Sequence, residues 1–354
     1  MDKEGIFALK KEKSFKTTIG GQALIEGIMM RGPEKAAYVV RGAQGLVSKE
    51  RKLKPAKEKF FLLRWPFFRG VFNFVGSMRD GMKALTWSAE QFPDDDEADG
   101  DTPAKEEEQP SKFSLWLDKK LSSEKVQKAV MTIAVVIGLA LSIGIFMLLP
   151  AFLTGLIGGD SLGRGITRNL LEGLIRMIIL LSYMALVSRM KDIKRVFRYH
   201  GAEHKTIACY EAGRELTVEN VRGFSRFHPR CGTSFLFMVV IISILVFSLL
   251  APLENMLLGV GADGAVNTSS GIYLLIRTAS RLILLPLLVS VSYEINRLIG
   301  RFDSLLTRIL RAPGLWMQRL TTYEPDDSMI EVGIEALQRV IPSQKGADEW
   351  GKGN

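Results

Sequence analysis

Four long apolar runs divide this chain. Residues 129–149, 170–188, 235–258 and 272–293 are each close to the length a helix needs to cross a bilayer. Elsewhere the period changes. Over residues 64–92, Phe67, Phe68, Val71, Phe72, Val75, Met78, Met82 and Leu85 recur three and four apart. That spacing predicts an amphipathic helix, suited to the headgroup layer or to the flank of the spans. Residues 18–60 set short apolar runs between glycines, among them Gly20, Gly21, Gly27 and Gly32, which predicts a small β-rich unit. Near the end, Ile330, Ile334, Leu337 and Ile341 form a helical stripe behind Ser328 and Glu331, the spacing of a capping box. The pattern predicts a mainly α, polytopic membrane protein with four transmembrane helices, plus a small β-containing cytoplasmic unit.

The polar stretches set the boundaries. Residues 1–17 read as a basic tail and 93–112 as a disordered acidic linker without periodicity. The spans fall into two pairs, 129–188 and 235–296, joined by a loop at 189–234 and followed by a C-terminal region at 297–354. Ten Lys and Arg lie between Arg189 and Arg230, whereas only Arg164 and Arg168 separate the first two runs. The positive-inside rule therefore places the N-terminus, the 189–234 segment and the C-terminus in the cytoplasm. The start of the chain lacks the short apolar core of a secretory signal.

Composition sharpens the reading at two points. The net charge of +9 includes nine acids in residues 93–110, so the remainder is more basic than the total suggests. A bilayer with anionic lipids is the expected partner, a homo-oligomer is also expected, and nucleic acid is not. A faint gapless repeat aligns Arg176–Phe197 with Arg281–Phe302 and puts Arg176 and Arg281 at equivalent depths in two spans, with Glu172 one turn from Arg176. Ionisable residues at such depth usually face a partner or a cavity, which admits a transporter of a small anionic solute.

The chemistry is concentrated. All three histidines and both cysteines, His200, His204, Cys209, His228 and Cys231, fall within 32 residues. Two cysteines 22 apart do not form a disulfide framework. His200-Gly-Ala-Glu203-His204 reads H-x-x-E-H. On a helix its two imidazoles share one face, a spacing that suits one tetrahedral metal, with Glu203 placed as a general base. A divalent metal is expected, zinc first. Either His228 or Cys231 supplies a third ligand to an open site, or both do and the site is closed and structural. Cys209 and Glu211 are supporting candidates, Thr233 or Ser234 a cap for the following helix, and Arg31 and Arg230 candidate anion stabilisers. Glu26 is a further candidate.

Three blocks, Gly20-Gly-Gln-Ala-Leu-Ile-Glu-Gly-Ile-Met-Met-Arg-Gly-Pro33, Tyr199-His-Gly-Ala-Glu-His-Lys-Thr-Ile207 and His228-Pro-Arg-Cys-Gly-Thr-Ser-Phe235, resemble the signature blocks of the bacterial YqhQ-like membrane proteins. The resemblance spans most of the chain outside the acidic linker and the two ends. It implies a bacterial cytoplasmic membrane protein of a family of unknown function, described as predicted metal-dependent enzymes. It also implies that Glu26 and Arg31 belong with the His/Cys segment. Three function classes follow: a metal-dependent, hydrolase-like enzyme, a transporter, and an assembly or scaffold factor with a structural metal.

Overall fold

The computed structural model describes residues 15–42, 44–53, 65, 68–92, 124–158, 166–257, 271–302, 304–344 and 346–350. The acidic linker and nearly all of the basic tail lie outside the described residues. The chain forms two compact units. Unit 1 comprises residues 1–93, 182–243 and 284–354, and unit 2 comprises residues 94–181 and 244–283.

Unit 1 is organised on a four-stranded antiparallel meander, β1 (Gly20–Leu24), β2 (Gly27–Arg31), β3 (Lys35–Gly42) and β4 (Gly45–Lys52), in that spatial order. Its period-two pattern serves two cores. Ile28 and Met30 of β2 and Ala37 and Val39 of β3 face one cluster, with Tyr199, Ala202 and Ile207 of α5 (Lys191–Glu211) and Met329, Val332, Ala336 and Leu337 of α10 (Asp327–Gln338). Met29, Ala36 and Tyr38 face the opposite cluster with Leu24 and Ala84, the last from α1 (Phe68–Glu90). The β-rich unit expected over 18–60 is therefore one layer of a larger assembly, covered by helices from distant parts of the chain.

Two local expectations change. The segment 189–234 is largely helical: α5 is followed by the short α6 (Val218–Arg222), whose N-cap Thr217 accepts from the Asn220 N–H. The last helix is capped by Asp326, which accepts from the Met329 N–H at 3.0 Å, while Ser328 donates to that same carboxylate. A carboxylate one residue before the helix suits its positive end better than a hydroxyl inside the first turn.

Among the described residues, four helical stretches are long and apolar enough to cross a membrane: Thr132–Ile157, Ile166–Val187, Gly232–Leu250 and Arg277–Arg301. The first runs through α2 (Glu124–Ile143), a π-helical turn at Gly144–Leu148 and α3 (Leu149–Gly158). The others belong to α4 (Ile166–Val187), α7 (Gly232–Leu257) and α8 (Gly271–Arg301). In unit 1, α1 packs on the later part of α8, where a Cβ on Gly70 would fall 2.8 Å from the Ser290 Cα and Arg69 pairs with Glu294. Also in unit 1, α9 (Leu305–Thr321) presses Gly314 against Ser234 in the first turn of α7.

Unit 2 carries the two arginines of the repeat. Arg176 donates to Glu172 at 2.9 Å within α4, and Arg281 and Arg277 of α8 reach the same carboxylate. Asn169 accepts from both Arg277 and Arg281. Glu172 is thus the shared acceptor of three buried guanidinium groups. Sequence reasoning paired it with Arg176 but did not find Arg277 or Asn169, because contacts between helices leave no spacing signal.

Candidate metal centre

The centre is assembled on α5. His200 and His204 are one turn apart, with ring centroids separated by 4.4 Å. Cys231, the residue before α7, brings its Sγ to 3.2 Å from His200 Nε2. The donor atoms of His200, His204 and Cys231 all lie within 4.8 Å of one another, the grouping required to share one ion. In a tetrahedral zinc site a nitrogen and a sulfur ligand stand roughly 3.5 Å apart, so the His200–Cys231 separation is close to a bound geometry.

Backbone carbonyls fix the imidazoles. His200 Nδ1 lies 2.8 Å from the Thr321 carbonyl oxygen and His204 Nδ1 lies 2.6 Å from that of Arg226. A carbonyl only accepts, so each Nδ1 carries the proton and, in the neutral ring, each Nε2 keeps its lone pair. This is how metal-ligating histidines are oriented from behind. Close packing of the helix helps: a Cβ on Gly201 would collide with the Tyr323 carbonyl oxygen, so glycine lets the chain after α9 reach α5.

Without an ion the donors neutralise one another. Burial disfavours the charged form of both His200 and Cys231. Their mutual attraction outweighs it, raising the imidazole to about 9 and holding the thiol well below its usual range. Cys231 also accepts from the Thr233 N–H at 3.5 Å. It therefore stands at the start of α7, where the sequence suggested Thr233 or Ser234 as the cap, and the helix terminus favours a thiolate there.

Glu203 is buried beside these donors. Burial pushes its carboxyl above the usual range, partly offset by His200, His204 and a backbone N–H from Gly21. Its Oε2 is buried with no hydrogen-bond partner. A carboxylate oxygen in that condition is costly unless something polar occupies the adjoining space, which is one reason that the residues present fit a metal centre.

The remaining candidates are distributed differently. His228 neighbours His204, with centroids 5.6 Å apart, but its Nε2 faces Glu211 at 3.5 Å, and burial lowers its pKa. Glu211 also binds Arg230 and the Thr17 N–H, and these partners overcome burial to hold its carboxyl below the usual range. The Arg230 guanidinium lies over Trp350, 5.5 Å from the ring centroid. Cys209 lies in an apolar cluster with Val221 and Ile330, and burial raises its thiol to about 11. Arg31 is not brought to the centre. It bonds Asp80 of α1 at 3.2 Å. Glu26 ties the β1–β2 turn to α5 through Arg195 and the Tyr199 hydroxyl. Three supports were missed by sequence reasoning: the Thr321 and Arg226 carbonyls, which no side-chain pattern reveals, and Gln318, which accepts from the His228 N–H and donates to its carbonyl, both at 2.8 Å.

The family model described as "Protein of unknown function (DUF1385)" matches residues 65–343, a range that includes His200, Glu203, His204 and Cys231. The uncharacterized protein YqhQ of Bacillus subtilis (strain 168) is 31% identical over 324 residues, covering 91% of this chain and 92% of that protein. The chain belongs to this YqhQ-like family. No solved structure matches it. The family model begins at residue 65, after the glycine-rich block, yet Gly21 of that block meets Glu203 directly: a Cβ there would lie 2.9 Å from the Glu203 Cδ.

Proposed function

We propose that this family member is a metal-dependent, hydrolase-like enzyme of the bacterial cytoplasmic membrane, with its centre on the cytoplasmic side. His200 Nε2, His204 Nε2 and the Cys231 thiolate would hold a divalent ion, zinc fitting the two-nitrogen, one-sulfur donor set best. The observation that carries this reading is the pair of Nδ1–H···O=C bonds, which aim two Nε2 lone pairs at one thiolate. When bound, the ion would lower the pKa of water and polarise a substrate oxygen. Glu203 would accept the proton of the attacking water and return it to the leaving group. Its buried setting keeps its basicity above that of an ordinary carboxylate. Engagement of His228 by Glu211 supports an open centre over a closed structural one.

Metal analysis of the purified full-length protein tests this. About one zinc per chain is expected, lost in His204→Ala and Cys231→Ala and retained in Glu203→Gln. Hydrolysis of chromogenic ester and phosphodiester probes should fall about 10²–10⁴-fold in Glu203→Gln. Metal-free protein whose thermal midpoint ignores added zinc would sink the reading. The cluster of Arg176, Arg277 and Arg281 on Glu172 favours a second reading, a transporter of a small anionic solute. It gains if Arg281→Gln abolishes cellular function while Glu203→Gln does not.

A further inference from the structure

Helix α9 has two dissimilar faces. The inner one is buried and holds Thr307, Gly314, Met317, Gln318 and Thr321. The outer one exposes Leu305 at 75%, Leu306 at 65%, Ile309 at 60% and Trp316 at 51%. At about 3.6 residues per turn these four share one stripe, and the exposed Arg308 and Arg319 border it on one side. The helix is also fastened at a defined level. Its Gly314 meets Ser234, where the Gly232–Leu250 span begins, and Arg311 donates to the carbonyls of Ile299 and Phe302, where the Arg277–Arg301 span ends. Helix α1 repeats the arrangement. One face packs at Gly70 on Ser290, within the last span, while Phe68, Phe72, Val75, Met78 and Met82 point outward, three or four residues apart.

A helix with this composition, lying across the ends of two spanning helices, meets the layer where hydrocarbon gives way to headgroups. The candidate centre hangs from it. The last carbonyl of α9, that of Thr321, orients His200, and Gln318 brackets the His228 backbone. Cys231 is the residue before the chain enters its third span.

We propose that the outer faces of α9 and α1 are seated in one leaflet of the bilayer, with Arg308 and Arg319 facing anionic headgroups, and that the substrate of the centre is a membrane amphiphile whose scissile bond lies at headgroup depth. The substrate class rests on the metal-dependent reading above, whereas the seating does not. The bilayer is the occupant favoured because the two faces continue from the spans themselves, and because arginines flanking an apolar stripe match an anionic lipid surface.

The test uses the full-length protein in vesicles of phosphatidylglycerol and phosphatidylcholine. An environment-sensitive fluorescent amino acid is placed at Leu306 or Ile309. Lipids carrying a nitroxide near the headgroup should quench it strongly, and aqueous iodide weakly. Arg308→Glu with Arg319→Glu should weaken the lipid quenching. Strong iodide quenching without lipid quenching would overturn the seating. So would protection from both quenchers with cross-links between copies, which would assign the face to a dimer. A second arm follows Cys231 in a Cys209→Ala background after chelation. A long-chain alkyl methanethiosulfonate should react several-fold faster than a small charged methanethiosulfonate, each rate being taken relative to a free thiol, and the reverse order would overturn the amphiphile. Metal content is measured separately, so a protein without zinc fails the enzyme reading while leaving the seating result standing.

Discussion

A methyl group on Gly21 would stand 2.8 Å from the Met29 carbonyl oxygen and 2.9 Å from the Glu203 Cδ. The side chain has nowhere to go, because it is trapped between its own hairpin and the buried carboxylate. Gly21→Ala should lower stability by about 1–3 kcal/mol, read as the thermal midpoint in detergent. Zinc content should be retained, since Gly21 touches Glu203 and none of the three donors. The two cysteines provide the converse contrast. Cys209→Ala removes apolar packing and a weak S–H bond to the Glu215 carbonyl, together on the order of 1 kcal/mol, and should keep the metal that Cys231→Ala loses. At this scale the sequence was informative where chemistry is sparse. Three histidines and two cysteines in one segment narrowed the search to a few atoms. It was uninformative where the partner is a backbone carbonyl, as for His200 and His204. It misdirected where membership of a shared signature block stood in for contact, as for Arg31, whose partner Asp80 lies 49 residues away in α1.

Among the elements, α1 and the sheet show how one ion cluster joins two layers. Asp80 of α1 is buried and receives Arg51 of β4 at 2.8 Å and Arg31 of β2 at 3.2 Å. Burial raises its pKa, but the Arg51 hydrogen bond and the charges of Arg51, Arg31 and Arg79 outweigh that and hold the carboxyl below its usual value. A pKa depressed by folding means that the stabilisation is fully present above the unfolded value of 3.8 and is lost as pH falls through the folded one. Asp80→Asn should therefore cost about 1 kcal/mol at neutral pH, the arginines being partly exposed, and the difference from the native chain should vanish in strong acid. Thermal midpoints of the two proteins across a pH series check this. The elements themselves were legible from short apolar runs between glycines in the strands, a period of three to four in α1 and α10, and unbroken apolar length in the spans. Sequence reasoning placed His200 and His204 on a helix only conditionally, within a segment read as a loop, because Lys191, Lys194, Arg195, Arg198 and Lys205 interrupt the apolar pattern of α5.

On the scale of the whole molecule, the two ends of unit 1 are clasped. Thr17 pairs with Glu349 in a β-bridge, the Thr18 N–H donates to the Asp348 carbonyl, and the Trp350 N–H donates to that of Lys16. Asp348, 2% exposed, accepts from the Thr17 hydroxyl at 2.6 Å and the Tyr210 hydroxyl at 3.0 Å. Through its N–H, Thr17 then reaches Glu211, which faces His228. Asp348→Ala removes the acceptor of the buried Thr17 hydroxyl and of the partly buried Tyr210 hydroxyl, and should lower stability by about 1–3 kcal/mol, again measured as a thermal midpoint. The core above it draws on Ile28 and Val39 early in the chain, Tyr199 and Ile207 in the middle, and Val332 and Leu337 near its end. That composition has a consequence for biosynthesis. At about 5–20 residues per second, roughly 15–60 s separate the emergence of β1 from that of α10. Until α10 emerges, α5 alone of these two helices can cover that face of the sheet, and the spans must already have left the ribosome before the cover is complete. The carbonyl that orients His200, that of Thr321, follows all four spans in the chain, which ties the final orientation of the donor triad to the end of translation.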